Sequence, residues 1–178
     1  MTILAFDTAT TFGAVAAVTG GGRARRDRAG DLLAAVDELV GDPSELAGIV
    51  VGRGPGSFTS IRIGLAMAQT LADTLGVPLR GASTLDAFAG GTPVLDARRS
   101  EVFAPGPRVC RPDELDVADQ TLVGDGAIRY RDLFEERGAV IPPDDDGRHV
   151  PDPLLLLDAA TGDTTPLYVR DPDAKPAA

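Results

Sequence analysis

Residues 52–59 read Gly-Arg-Gly-Pro-Gly-Ser-Phe-Thr, and no regular element accommodates them. Three glycines and a proline within five positions make a tight loop whose backbone can come close to something else. Before the loop, Leu46 to Val51 is an apolar run with one glycine, the pattern of a buried strand. After it, Ser60 to Leu75 reads as a long helix. Gly76 supplies a left-handed stop and Pro78 forbids continuation. The chain is therefore expected to be α/β.

Free amides where the loop opens the helix would attract an anion. The loop nevertheless lacks the lysine of a phosphate-binding Gly-x-x-x-x-Gly-Lys-Ser/Thr motif, and Arg53 and Arg62 are its only cations. Ser57 lies in Gly-Pro-Gly-Ser-Phe, not in the Gly-x-Ser-x-Gly of a nucleophile elbow. Helix capping by Ser57 or Thr59 is the expected local role. The helix itself is apolar on two sides. Ile61, Leu65, Ala68, Ala72 and Leu75 line one, and Ile63, Met67 and Leu71 line another. One stripe covers a sheet; the second requires another layer or a partner.

The opening run Ile3–Phe6, the polar turn Asp7-Thr8-Ala9-Thr10-Thr11 and the run Gly13–Val18 read as a β-hairpin. Arg23 to Arg28 follow as a polar edge strand. Leu32, Leu33, Val36, Leu39 and Val40 then form one helical stripe within Asp31–Val40. Asp7 has two readings. It holds a metal-bound phosphate with help from the turn amides, or Asp7 and Thr8 cap the turn. Further on, Pro78–Arg80 is a short strand and Thr84–Ala89 a helical turn. Thr92–Asp96 and Glu101–Ala104 form a hairpin, Leu122–Gly124 a strand, Ile128–Arg137 a helix and Ala139–Ile141 a strand. A last helix starts at Asp152-Pro153. Composition turns to Pro, Asp and Arg at Pro105, so lobes of residues 1–104 and 105–178 are expected.

Charge and composition exclude several functions. A net charge of −10 repels phosphate backbones unless arginines cluster, so direct RNA binding is not expected. One cysteine, Cys110, cannot form an internal disulfide, and no 18-residue apolar run spans a membrane. With no basic leader visible at the start, a cytoplasmic protein is expected. The one histidine, His149, sits in a Pro- and Asp-rich loop without a serine or cysteine beside it to activate. One His and one Cys do not make a tetrahedral zinc site. No catalytic set, metal site or cofactor is expected.

Three strings stand in order: Ile3-Leu4-Ala5-Phe6-Asp7-Thr8-Ala9-Thr10, then Gly52 to Gly64, then Leu95-Asp96-Ala97-Arg98-Arg99-Ser100-Glu101-Val102-Phe103. With Ser83-Thr84-Leu85 between them and a closing Pro166-Leu167-Tyr168-Val169-Arg170, they resemble the bacterial TsaB family. Gly52, Arg53, Gly54, Pro55, Gly56, Ser57, Phe58, Thr59 and Arg62 are the family's most specific motif. The resemblance implies a duplicated, actin-like (ribonuclease H-like) fold. It also implies kinship with the metal-binding sister TsaD, sometimes filed with the M22 glycoproteases.

Family members scaffold TsaD, together with the ATPase TsaE, in making threonylcarbamoyladenosine in transfer RNA, and have no transfer chemistry of their own. The sister holds its metal with a helical pair of histidines that this chain lacks. The implied partner surface lies on the first two helices. Here that means Leu32, Leu33, Val36 and Leu39 with Ile63, Met67 and Leu71, and self-association through the same helices is expected. Two departures stand out. Arg25–Gly30 replaces a His-containing segment, and the second lobe is trimmed, which disfavours closure over a nucleotide. Asp7 and Thr8 would then be a vestigial phosphate hairpin. Three alternatives remain at this level: a small actin-fold phosphotransferase with Asp7 on ATP phosphates, a glycoprotease-like hydrolase, and a homodimeric scaffold in another process.

Overall fold

The computed structural model describes residues 2–19, 22–26 and 32–170. Asp31 and Arg28 fall outside them, and Arg23, Arg25 and Arg26 are described by backbone alone. The opening hairpin forms as expected. β1 (Thr2–Asp7) pairs antiparallel with β2 (Ala14–Thr19), and β2 with the edge strand β3 (Gly22–Arg26). After helix α1 (Leu32–Val40), β4 (Leu46–Gly52) runs parallel to β1. Helix α2 (Phe58–Leu75) then crosses back to β5 (Leu79–Ala82), parallel to β4. The five-stranded sheet has the order β3-β2-β1-β4-β5.

Alternation along the strands divides this sheet into two faces. Leu4 and Phe6 of β1 join Ile49 and Val51 of β4 under Ala35 and Val40 of α1 and Ala68 and Ala72 of α2. On the opposite face, Ala5, Val50 and Ala82 pack against Leu156 of helix α5 (Pro153–Ala159). α5 arrives from the far end of the chain, capped by Asp152 as its sequence indicates.

The remaining elements build a smaller second unit. β6 (Thr92–Pro93) pairs in parallel with β10 (Leu122–Val123), and β7 (Leu95–Arg98), β8 (Glu101–Ala104) and β9 (Arg108–Cys110) form a three-stranded sheet. Their core joins Val94, Val102 and Ala104 to Leu122, Phe134 and Ile141. The cores thus divide the chain differently from a boundary at residue 104. β8 and β9 pair across residues 105–107, so the Pro-rich shift marks a surface hairpin within one sheet.

Three local expectations also change. Thr92 and Pro93 leave the hairpin and pair with β10 instead. The helix expected over Ile128–Arg137 is two short pieces, α3 (Asp125–Arg129) and α4 (Arg131–Glu136). Tyr130 between them leaves helical backbone and sets its ring edge-on to Phe134. Ala139–Ile141 makes only a single bridge, Val140 to Thr121, because Pro142 and Pro143 offer no N–H to extend a ladder.

Candidate functional site

The glycine-rich loop closes on the Asp7 turn, and each close approach matches one glycine. A Cβ at Gly52 would lie 1.7 Å from Asp7 Oδ2, one at Gly56 2.2 Å from the Ala9 carbonyl oxygen, and one at Gly64 2.3 Å from Thr8 Oγ1. Gly54 adopts φ +102°, a region closed to most side chains. Hydrogen bonds complete the interlock. Ser57 N–H donates to the Ala9 carbonyl at 2.8 Å, and the Thr8 hydroxyl donates to the Ser60 carbonyl at 2.8 Å. Ser57 caps α2 through the Ser60 amide, as expected, and the helix starts at Phe58, two residues earlier than the sequence suggests.

Asp7 is fully buried. Its Oδ1 accepts the Ala9 N–H at 2.9 Å and its Oδ2 the Thr84 hydroxyl at 2.6 Å. Thr84, equally buried, accepts the Gly54 N–H at 3.1 Å and donates its own N–H to the Gly54 carbonyl. Burial pushes the Asp7 carboxyl above its ordinary range, against the two hydrogen bonds, which favour the charged form. Thr84 is a linchpin that sequence reasoning left without a role, although its string was among those resembling the family.

Beside this interlock lies a cleft of about 690 Å³, between the two cores. Its lining takes Ala9, Thr10 and Thr11 from the turn, but neither Asp7 nor Thr8. Opposite stand Asp96 to Arg99 of the β7–β8 hairpin, and Leu167 to Arg170 run along it. Three of the strings quoted above and the closing one therefore meet at one cavity. Phe58 and Tyr168 face each other at its mouth with ring centroids 4.9 Å apart, and the Arg62 guanidinium lies 5.3 Å over the Phe58 ring. Arg53 pairs with Asp163 at 3.2 Å and donates to the Thr165 carbonyl, tying the closing segment to the loop. Arg170 fastens the other end to the Ala97 carbonyl and Glu101.

Asp125 closes the back of the cleft. Its Oδ1 accepts the Asp96 N–H at 2.9 Å, and its Oδ2 accepts both the N–H and the hydroxyl of Thr11. The flanking glycines, 124 and 126, allow this approach: a Cβ at Gly126 would sit 2.7 Å from the Leu95 carbonyl carbon. His149 is fully buried behind the same turn. Its Nδ1 lies 3.1 Å from the Gly124 nitrogen and 3.3 Å from the Gly124 carbonyl oxygen, and its Nε2 lies 3.1 Å from the Pro142 carbonyl oxygen. Both ring nitrogens serve the backbone. Among the described residues no group of His, Cys, Asp and Glu is placed to hold a metal, and no helix is long and apolar enough to cross a membrane.

The residues singled out on the first two helices divide by exposure. Leu33 on α1 and Ile63 on α2 stand 63% and 60% exposed. Leu32, Val36, Leu39, Met67 and Leu71 are half-buried against the first core. The second stripe of α2 is thus partly a flank of the core and partly free surface.

A hairpin-led sheet in the order 3-2-1-4-5, helices on both its faces and a cleft against a second α/β unit define an actin-like, ribonuclease H-like protein. YeaZ from Pseudomonas aeruginosa shows the same fold, with a TM-score of 0.75 at 24% identity over 94% of this chain and 99% of that one. The family model described as "TsaD: tRNA N6-adenosine threonylcarbamoyltransferase" matches residues 24–118, more than half of the chain. An uncharacterized protein of Mycobacterium tuberculosis is 34% identical over 99% of this chain and 95% of its own length. The tRNA threonylcarbamoyladenosine biosynthesis protein TsaB of Bacillus subtilis is 40% identical over 81 residues, 39% of this chain and 35% of that protein. The chain belongs to the TsaB/YeaZ family.

Proposed function

We propose that the protein is a non-catalytic subunit of tRNA threonylcarbamoyladenosine biosynthesis that pairs with a TsaD-type catalytic subunit through α1 and α2. Its relatives of that name supply the process. The observation that carries the pairing is the exposure of two large aliphatic side chains, Leu33 and Ile63, on neighbouring helices over one sheet face. Each leaves more than half of its surface exposed, and covering that remainder at an interface would stabilise it by about 1–2 kcal/mol. Self-association through the same helices, displaced by the catalytic subunit, belongs to the same reading, and a TsaE-type ATPase would join the assembled pair.

The phosphotransferase alternative needs the Asp7 carboxylate in the cleft, whereas both its oxygens are bonded inside the protein. A metal-dependent glycoprotease would need a donor set that one buried histidine, engaged by backbone at both nitrogens, does not supply.

The test is light scattering on size exclusion with the cognate TsaD-type subunit. Wild-type protein is expected to form a one-to-one complex. Ile63→Asp, and with it Leu33→Asp, should prevent the complex while the monomer keeps its melting temperature, because neither side chain supports the core. Met67→Asp is the less clean variant, being half-buried against that core. A complex that forms unchanged with Ile63→Asp and Leu33→Asp combined would overturn the assignment of the surface.

A further inference from the structure

Large apolar side chains stand exposed at one end of α2 only. Phe58 and Ile63, 45% and 60% exposed, lie in its first two turns, with Thr59 and Arg62 open beside them. Further along, the exposed positions are Ala66, Gln69, Thr70, Asp73 and Thr74, and Gln69 donates to Asp73 at 2.8 Å. Tyr168 of the closing segment, 40% exposed, sets its ring 4.9 Å from that of Phe58. Backbone contacts hold it from both sides. The Leu167 N–H donates to the Arg53 carbonyl at 2.7 Å, and the Arg170 guanidinium donates to the Ala97 carbonyl at 2.9 Å. Of the five large hydrophobic side chains exposed among the described residues, three thus gather around the start of α2.

We propose that the partner surface on α1 and α2 continues from Ile63 onto the closing segment, with Phe58 and Tyr168 as its aromatic anchor for the catalytic subunit. This extension rests on the pairing proposed above and supplies area which that pairing needs. A stable interface takes about 800 Å² from each partner. Even an aromatic side chain buries only about 150–250 Å², so Leu33 and Ile63 cover well under half of what is required. Toward the C-terminal end of α2 a partner would meet an amide, hydroxyls and a carboxylate. Toward the N-terminal end it would meet two rings and the Arg62 guanidinium that lies over one of them. Phe, Tyr and Arg are enriched at interfaces, and Tyr and Arg recur among the residues that carry most of the binding energy. These rings cost little to order on binding, because the helix fixes Phe58 and the anchors on either side fix Tyr168.

The test titrates the cognate TsaD-type subunit into the full chain by calorimetry. Tyr168→Ala and Phe58→Ala should each weaken the complex by about tenfold or more, and a melting curve of each variant checks that the free protein is folded. Tyr168→Phe keeps the ring and should bind as wild type does. Should Phe58→Ala disturb the start of α2, Tyr168→Ala decides the matter, since Tyr168 belongs to none of the packed cores. A folded Tyr168→Ala of unchanged affinity, with pairing still prevented by Ile63→Asp and Leu33→Asp, would overturn the extension and leave the pairing standing. No complex with wild type would remove both. A Tyr168→Ala variant that loses only self-association, and pairs with the catalytic subunit as before, would give the rings to a second copy of this chain and overturn the assignment as well.

Discussion

Asp7 carries two readings in sequence, and in the fold its carboxylate is buried and bonded at both oxygens. An aspartate at the end of a strand, before a Thr-rich turn, matches a phosphate site as well as it matches a cap. Burial bears on the two, and burial of a single residue is not written in its neighbours along the chain. The same burial gives the residue a measurable signature. Its carboxyl titrates above the ordinary value, so the folded state binds more protons than the unfolded one between the two values. Stability should therefore fall as pH rises from about 4 through the raised value, this being the contribution of Asp7 alone. Asp7→Asn cannot ionise and should lack that slope. Urea unfolding of both proteins across pH 4 to 7 measures it, and the stability of the Asp7→Asn variant relative to wild type should rise with pH. A parallel pair of curves would show that the buried carboxyl is ionised in both states.

At the scale of elements, α2 contains a contradiction that only the tertiary structure resolves. Gly64 lies in the second turn of the helix, where glycine costs about 1 kcal/mol relative to alanine. Gly64→Ala should nonetheless destabilise the protein, because the new Cβ would meet Thr8 Oγ1 at 2.3 Å and break the Thr8–Ser60 clamp. A loss of about 1–3 kcal/mol is expected from this overpacking. Combining it with Thr8→Ala, which removes the clashing hydroxyl, should recover part of the loss. A double-mutant cycle by chemical denaturation gives the coupling energy. The elements that periodicity and punctuation define were legible: β1, β4, α2 with its Gly76 stop, and α5 with its Asp152 cap. Those set by distant pairing were not. β6 and β10 have two residues each and pair across a separation of about thirty positions, a match no local pattern encodes. In the site, the loop glycines announced a close approach but not its target. Asp125, flanked by two glycines, gave no sign in sequence of its reach to Thr11.

Taken whole, the molecule is not two units in series. The first sheet owes one face to α1 and α2, which are near in sequence, and the other to α5, which the chain supplies only after completing the second core. The closing segment then runs back along the cleft, from the Gly81–Thr161 bridge through Arg53 to Arg170 on the β7–β8 hairpin. With contacts of such sequence separation, the two cores should unfold together. Leu156 is fully buried between α5 and the strands, and Leu156→Ala should cost about 2–5 kcal/mol. That loss is expected to appear equally in both units. Native-state hydrogen exchange reads it: the slowest amides of β4 and those around Phe134 should accelerate by the same factor. If only β4 accelerates while the Phe134 region keeps its protection, the lobes unfold separately and α5 serves the first sheet alone. Equal acceleration would make the returning helix the element that joins them, so the proposed partner surface on α1 and α2 would exist only when the entire chain is folded.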